Sequence, residues 1–173
     1  MRQSFDRELE RLQSEVLRMG SEVEEHLTKV IDAFLARDMY TSRQMIDADV
    51  SINERRIQLG LGSLTLIATQ QPMARDMRLI AAIMEIVGEL ERIHDYIKGI
   101  GKISLKLGEA PVLPAMAASM PEMAEVAREM LFQALKAFAN RDADLARQTP
   151  AMDYRVDALF NHLYAELVAY VIK

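Results

Sequence analysis

Two pairs of oxygen-bearing side chains with a four-residue spacing are the residues of this sequence best suited to chemistry. Glu91 and Asp95 form one pair, and Asp49 and Asn53 form the other. On an α-helix, residues four apart lie on the same side, about one turn from each other. Carboxylate and amide oxygens are ligands that hard and borderline cations accept. The chemistry predicted from these residues is therefore metal binding.

A helical hairpin would bring the two pairs to the same level. If the chain turns near residue 73, Asp49 lies about as far before the turn as Asp95 lies after it. The same holds for Asn53 and Glu91. Facing carboxylates repel each other unless a metal ion or a Lys or Arg side chain lies between them. We therefore predict a metal site between two antiparallel helices, and a solvated acidic surface is the alternative.

A shift of 104 positions superimposes one part of the sequence on another. It places Ala33, Phe34, Arg37, Asp38, Arg43, Gln44 and Asp49 on Ala137, Phe138, Arg141, Asp142, Arg147, Gln148 and Asp153. Asn53 falls on Asp157 in the same alignment. A fixed long period indicates that one helical unit is built twice. Asp153 and Asp157 are therefore the candidate metal ligands of the second unit.

Apolar residues at steps of three and four predict five helices. The predicted ranges are about 5–36, 39–70, 73–107, 122–140 and 142–173. Pro150 should kink the last helix or separate its first turn. No stretch has the alternating pattern of a strand, so the predicted fold class is all-α.

The predicted second helix carries two apolar stripes on different sides. Ile46, Val50, Ile57, Leu61 and Leu64 form one stripe, and Ile52, Leu59 and Leu66 form the other. An amphipathic helix usually has one apolar side, which faces the core. Two stripes predict one contact with the bundle core and a second contact with the other unit or with another subunit.

The helices divide into tandem bundles of unequal size. Residues 1–108 are predicted to form a first three-helix bundle, and 109–121, with Pro111, Pro114 and Pro121, a linker. Residues 122–173 would form a second bundle that lacks its third helix. Two amphipathic helices cannot bury their apolar sides alone, so the second bundle needs the first bundle or another chain as a partner.

The composition excludes several classes of function. The chain has 173 residues, no Cys and a formal net charge of −5, which argues against a general nucleic-acid binder. No signal peptide or membrane-spanning run is visible, so we expect a cytoplasmic protein that reaches a membrane only through partners. Without a catalytic Cys or a Gly-rich phosphate loop, we predict that it is not an enzyme. A metal-dependent hydrolase using the carboxylates is a minor alternative.

Three histidines and two arginines are the remaining candidates. His94 adjoins the acidic pairs and is a possible additional ligand, although a boundary role is the ordinary alternative. His26 and His162 have no evident partners, which predicts surface or boundary roles. Arg75 and Arg78 lie at the start of the third predicted helix, where they could contact an anion or a partner. Pairing of these arginines with local acids is the alternative.

Three sequence segments resemble the PhoU family. The first is Phe5-Asp6-x-x-Leu9-x-x-Leu12 followed by Met19-Gly20, the second is residues 67–78, and the third is Gly88-Glu89-Leu90-Glu91-Arg92-Ile93-His94-Asp95. The resemblance covers essentially the whole chain. It implies two three-helix bundles related by internal symmetry, with metal clusters held on the bundle surfaces by pairs of acidic motifs.

Carried onto this sequence, the resemblance makes Glu91 and Asp95 one motif of the first bundle and Asp49 and Asn53 its companion. Asp153 and Asp157 become the companion motif of the second bundle. The implied metal is iron, zinc, manganese or magnesium. The implied role is to dampen phosphate uptake and phosphate-starvation signalling through contact with an ATP-driven phosphate transporter and a membrane sensor kinase, and a homo-oligomer is expected.

The chain departs from the family pattern in three respects. Asn53 is neutral where a carboxylate is expected, and His94 and Tyr96 replace a glycine and a polar residue. The second acidic motif of the second bundle, expected at about 195–199, lies beyond residue 173. The chain is thus expected to be either part of a longer protein or a member that completes its bundle by oligomerisation. A purely structural or interaction module without metal is the alternative function.

Overall fold

The computed structural model describes residues 2–172, with only the backbone of residue 2. Its α-helices are α1 (Arg2–Ala36), α2 (Met39–Asp47), α3 (Asp49–Gln70), α4 (Ala74–Leu107), α5 (Pro114–Asn140), α6 (Ala143–Gln148) and α7 (Asp153–Ile172). A 3₁₀ turn, Thr149–Met152, precedes α7. These residues contain no strand, which confirms the all-α prediction.

Helix α1 is the central rod of the molecule. Its buried side chains recur at steps of three and four, and the fully buried ones include Leu12, Val16, Met19, Val23 and Val30. Helix α4 lies against them with Ile80, Ile83, Val87, Leu90 and Ile97 in the same apolar cluster. The predicted periodicity of both helices is therefore the core pattern of the first unit, which consists of α1 to α4.

The predicted helix 39–70 is wrong as a single element, because the structure divides it at Ala48 into α2 and α3. The backbone of Ala48 stays right-handed, with φ −61° and ψ −21°, and its N–H still donates to the Gln44 carbonyl at 2.9 Å. The N–H of Ile52 in turn donates to the Ala48 carbonyl at 3.2 Å, so Ala48 is hydrogen-bonded to both helices. Asp49 opens the new helix, where a carboxylate interacts favourably with the helix dipole.

The predicted linker 109–121 is largely helical. Helix α5 begins at Pro114, because a proline at the first helical position lacks an N–H that would have no partner there anyway. Pro121 lies inside the helix, and only 108–113 remains as the connection. The division of the chain into two domains stays a prediction.

Helix α5 packs along α1. A Cβ atom on Gly20 would lie 2.5 Å from a methyl carbon of Leu135, so the glycine permits the close approach of the two helices. The guanidinium of Arg128 also bonds Glu24 of α1 at 2.9 Å. The second unit, α5 to α7, thus shares apolar contacts with the core of the first.

The duplication is confirmed in the backbone. Arg37 and Arg141 both have left-handed φ angles, 57° and 54°, and each ends a long helix. The next residue, Asp38 or Asp142, caps the following helix by accepting hydrogen bonds from backbone N–H groups. Helices α3 and α7 begin at positions related by the same shift, Asp49 and Asp153.

Pro150 lies in the 3₁₀ turn that separates α6 from α7. The predicted fifth helix therefore comprises a short helix, this turn and α7, as the proline led us to expect. The second unit repeats α1, α2 and α3 with α5, α6 and α7. Within residues 2–172 it has no counterpart of α4, in agreement with the predicted fold.

Helices α2 and α4 cross at close distance. A Cβ atom on Gly101 would lie 2.9 Å from the backbone carbonyl oxygen of Ser42. Beside it, the buried hydroxyl of Ser42 bonds that of Ser104 at 2.9 Å. This crossing fixes α2 on α4 and sets the start of α3.

No helix in residues 2–172 combines the length and the apolar character required to cross a membrane.

Candidate functional site

The groove between α3 and α4 brings together three of the predicted site residues, Asp49, His94 and Asp95. Asp49 is the first residue of α3, and its carboxylate lies opposite the α4 side chains of His94 and Lys98. Its Oδ1 lies 3.3 Å from His94 Nδ1, and its Oδ2 lies 2.5 Å from Lys98 Nζ. The predicted antiparallel hairpin therefore does bring Asp49 to the level of residues 94–98.

Lys98 joins the two carboxylates of this groove. Its ammonium group also donates to Asp95 Oδ1 at 3.2 Å, one turn earlier on the same helix. The side chains of Asp49, Lys98 and Asp95 are 15%, 28% and 53% exposed. The cation needed between the facing carboxylates is thus supplied by the chain itself.

The carboxyl group of Asp49 is held in its charged form. Burial acts to raise its pKa, but hydrogen bonds from Lys98 and His94 outweigh burial, so the pKa lies below the usual value. The pKa of Lys98 is raised, chiefly by its hydrogen bond to Asp49. Both shifts favour the ion pair.

His94 and His26 form a buried pair, so the surface or boundary role predicted for His26 is wrong. His94 is fully buried, and its Nε2 lies 3.0 Å from Nδ1 of His26 on α1. Because ionised Asp49 can only accept, His94 Nδ1 is the donor in that contact, and the other ring nitrogen of His94 is the one that meets His26. A hydrogen-bonded chain therefore runs from α1 through α4 to α3.

The position of His26 in the sequence contained a signal for this pairing. His26 lies three residues after Val23 and four before Val30, both of which are fully buried. It therefore falls on the core side of α1. A buried imidazole needs a hydrogen-bond partner, and His94, on the core side of α4, supplies it.

Glu91 and Asn53 form no hydrogen bond or ion pair with the other predicted ligands within residues 2–172. Glu91 is half-buried on α4, and no described residue forms an ion pair with it. The amide oxygen of Asn53 accepts a hydrogen bond from Arg56 Nε at 3.1 Å. The predicted ligand Asn53 is thus already hydrogen-bonded by a cationic side chain of the protein itself.

The predicted ligands of the second unit face solvent. Asp153 and Asp157 are both exposed on the first turns of α7. Further along α7, His162 Nε2 lies 3.5 Å from Glu166 on the exposed surface. His162 thus has a partner that sequence reasoning did not identify, although its surface position was predicted.

The side chains do not fit a divalent cation in the arrangement found in the α3–α4 groove. The Lys98 ammonium lies between Asp49 and Asp95, where such a cation would have to bind. No three His, Cys, Asp or Glu residues within 2–172 form a group able to hold a metal ion. The metal site on Glu91, Asp95, Asp49, Asn53, Asp153 and Asp157, with His94 as an additional ligand, stays a prediction.

Arg75 and Arg78 are exposed on the first turns of α4. Neither side chain forms an ion pair within the described part of the chain. The alternative of pairing with Asp76 is therefore not realised. An anion or partner contact at these arginines stays a prediction.

Two apolar stripes run along α3, as predicted. The inner stripe, Ile52, Leu59 and Leu66, is buried in the core. The outer stripe is exposed and consists of Val50 (64%), Ile57 (46%), Leu61 (60%) and Leu64 (52%). Helix α3 packs against α1, α2 and α4, so the outer stripe does not contact the second unit.

Ile46, which the sequence analysis placed on the exposed stripe, belongs instead to the α2–α4 crossing. It lies in α2, before the interruption at Ala48. A Cβ atom on Gly101 would contact its side chain at 3.1 Å. Ile46 therefore packs against α4, whereas the rest of the stripe is exposed.

A second apolar surface is a groove of about 670 Å³ between α4, α5 and α6. Its lining includes Met130, Ala134 and Ala137 of α5, and Ala146 of α6. Under the 104-position shift these residues correspond to His26, Val30, Ala33 and Ser42. All four are buried in the first unit, where α4 covers His26 and Ser42. The groove therefore corresponds to a surface on which a further helix packs in the first unit.

Comparison with known proteins agrees with this architecture. A family model described as the PhoU domain matches residues 16–104 and 120–173. A phosphate-specific transport system accessory protein PhoU homolog of Pseudomonas putida is 32% identical over 171 residues, covering 99% of this chain and 67% of that protein. A homolog in Synechocystis is 32% identical over 166 residues, covering 96% and 74%.

Two crystal structures resemble the fold closely. PhoU from Pseudomonas aeruginosa superposes with a TM-score of 0.91 and 31% identity, covering 97% of this chain and 80% of that one. The phosphate transport system regulatory protein PhoU from Streptococcus pneumoniae gives 0.87 and 28%, covering 95% and 77%.

The fold and its surfaces define an all-α protein of duplicated helical units with exposed apolar helix faces. The matched family model covers most of the residues of both units. The chain belongs to the PhoU family.

Proposed function

We propose that this protein is an accessory protein of phosphate transport that dampens phosphate uptake by direct contact with the transporter. Relatives that share about a third of its residues over nearly its full length are named phosphate-specific transport system accessory proteins. The observation that carries the proposed mechanism is the outer stripe of α3. The mode of action is therefore protein contact rather than catalysis.

The outer stripe has the properties of a protein-binding surface. Leu61 and Leu64 are more than half exposed, in the middle of a helix whose opposite side is fully packed. Methionines 73, 77 and 84 add exposed apolar area on the neighbouring helix and its N-terminal turn. Contiguous exposed apolar surface typically marks an interaction site, and flexible Met side chains suit such surfaces.

Co-purification with the transporter tests this proposal. The bait is the full chain, and the prey is the detergent-solubilised phosphate transporter of the same cell. Leu61→Glu combined with Leu64→Glu should abolish retention, because two carboxylates would be desolvated in the contact. Gln58→Glu adds charge to the same helix outside the stripe and should retain the transporter. Equal retention of the transporter by all three chains would refute the contact.

A sensor kinase is the second partner that we propose, since phosphate-starvation signalling must respond to the state of the transporter. Contact with both would place the protein at the cytoplasmic face of the membrane, held by its partners. Membrane fractionation with and without the genes of both the transporter and the sensor kinase tests this location. A protein that stays on the membrane without its partners would contradict it.

We also propose that the chain self-associates through the groove between α4, α5 and α6, with a helix of a second copy as its occupant. The duplication supports this, because α4 fills the equivalent space in the first unit. Helix α7 offers an exposed apolar surface, with Phe160, Tyr164 and Val171. Sedimentation equilibrium should give a mass above 19.6 kDa that Ala134→Arg lowers, and a wild-type monomer would refute the proposal.

A further inference from the structure

We propose that the Lys98 ammonium takes the place of a metal ion in the first unit, as a cation built into the chain. The family resemblance implies a metal at Glu91, Asp95, Asp49 and Asn53. The side chains present here are arranged differently. The disagreement concerns which positive charge balances the facing carboxylates.

The contacts of Lys98 are those that a bridging cation would make. Its Nζ lies 2.5 Å from Asp49 Oδ2 on α3 and 3.2 Å from Asp95 Oδ1 on α4. The single ammonium group thus connects the two helices of the hairpin. It neutralises part of the negative charge of both carboxylates. The ammonium has three donors and satisfies these acceptors by hydrogen bonding rather than by coordination.

The other predicted ligands are also engaged by this protein's own groups. Asp49 Oδ1 lies 3.3 Å from the ring nitrogen of buried His94, so both of its oxygens have partners. Asn53 is bonded by Arg56. A divalent ion would have to displace Lys98, break the His94 contact and accept a neutral amide. The repulsion between such an ion and the ammonium opposes its entry.

Manganese binding to the chain with and without Lys98 tests this proposal. Every chain carries Asp153→Asn and Asp157→Asn, so that the second unit cannot contribute. Lys98→Met keeps the apolar stem and removes the charge, and Lys102→Met, one turn further along, is the matched control. We expect Mn²⁺ alone to bind the Lys98→Met chain at least about tenfold more tightly in equilibrium dialysis, because the competing charge is gone.

A second readout locates the ion. Asp95→Asn should abolish the Mn²⁺ binding gained by Lys98→Met, and Mn²⁺ should raise the melting temperature of the Lys98→Met chain only. If the chain with Lys98 binds Mn²⁺ and Asp95→Asn removes that binding, the proposal is overturned. This comparison does not require the Lys98→Met chain to fold. A folded Lys98→Met chain that gains no Mn²⁺ binding also overturns the proposal.

Discussion

Buried polar groups at single positions hold the first unit together in specific ways. His26 and His94 connect α1 to α4, and Asp49 extends the connection to α3. Ser42 and Ser104 do the same between α2 and α4. A buried polar group stabilises a fold only when its hydrogen bonds are satisfied, so each of these residues depends on its partner.

Ser63 and Ser42 should respond to alanine in opposite directions. The buried hydroxyl of Ser63 has no hydrogen-bond partner among the described residues, whereas that of Ser42 bonds Ser104. Ser63→Ala should therefore raise the free energy of unfolding, by about 1 kcal/mol, since an unsatisfied buried group is removed. Ser42→Ala should lower it by a similar amount. Urea unfolding measures both, and a loss of stability in Ser63→Ala would contradict the assignment.

The stability of the protein should fall between pH 7.5 and pH 5.5 because of His26. Burial, and then the neighbouring His94, lower its pKa from 6.5, so the unfolded chain binds more protons than the folded chain as the pH falls. The stabilisation that comes from uncharged His26 is fully present above about pH 6.5. It is lost as the pH drops through the folded-state pKa of His26. His26→Gln should reduce this loss, and the exposed His162→Gln should leave it unchanged. Urea unfolding at pH 7.5 and pH 5.5 measures the free energy of unfolding of each chain. An equal loss between the two pH values for the wild type and His26→Gln would contradict the role of His26.

At the scale of elements, helix crossings are set by small residues and by helix ends. Gly101 allows α4 to approach the backbone of α2, and Gly20 allows α5 to approach α1. The interruption at Ala48 separates α2 from α3, and the outer stripe of α3 is exposed on the side away from the core. This exposed stripe is the surface that we assign to partners.

Gly101→Ala and Gly99→Ala, on the same helix, should change stability in opposite directions. The new Cβ at 101 would meet a backbone carbonyl at 2.9 Å, whereas at 99 no described atom beyond the adjoining residues and the local helix backbone lies within 4 Å. Overpacking against backbone costs about 1–3 kcal/mol, so Gly101→Ala should lower the melting temperature. Gly99→Ala should raise it, since alanine favours a helix by about 1 kcal/mol over glycine. A rise in melting temperature for both variants would contradict the close contact between α2 and α4.

The sequence predicted the long helices well, because their buried residues follow a period that local geometry imposes. Leu12, Val16 and Met19 are buried as the pattern required. It missed the division of the predicted helix at Ala48 and the helical state of residues 114–121. In both places a local signal, an acidic residue or a proline, is compatible with either continuing or starting a helix.

The candidate site was predicted only in part. The hairpin geometry correctly placed Asp49 level with Asp95, because rise per residue is fixed in a helix. It did not identify Lys98, although a Lys or Arg between the carboxylates was one stated possibility. Which of several nearby side chains fills a charged groove depends on three-dimensional packing rather than on spacing alone.

At the scale of the whole molecule, two copies of one helical unit differ in what covers them. In the first unit α4 lies over α1, α2 and α3. In the second, the corresponding groove is open within the described residues and lined by α4, α5 and α6. The outer stripe of α3 is a further apolar surface. A molecule with such exposed helix faces is suited to act through contact with other proteins.

Phosphate uptake by living cells tests the central claim most directly. The cell's own gene for this protein would be deleted. The cells would then carry the wild-type chain, Gln58→Glu, or Leu61→Glu combined with Leu64→Glu, at equal protein levels. The initial rate of labelled phosphate uptake is then measured. We predict that the wild-type chain and Gln58→Glu restrain uptake and that the stripe variant does not. Full restraint by the stripe variant would contradict a function exerted through this surface of α3.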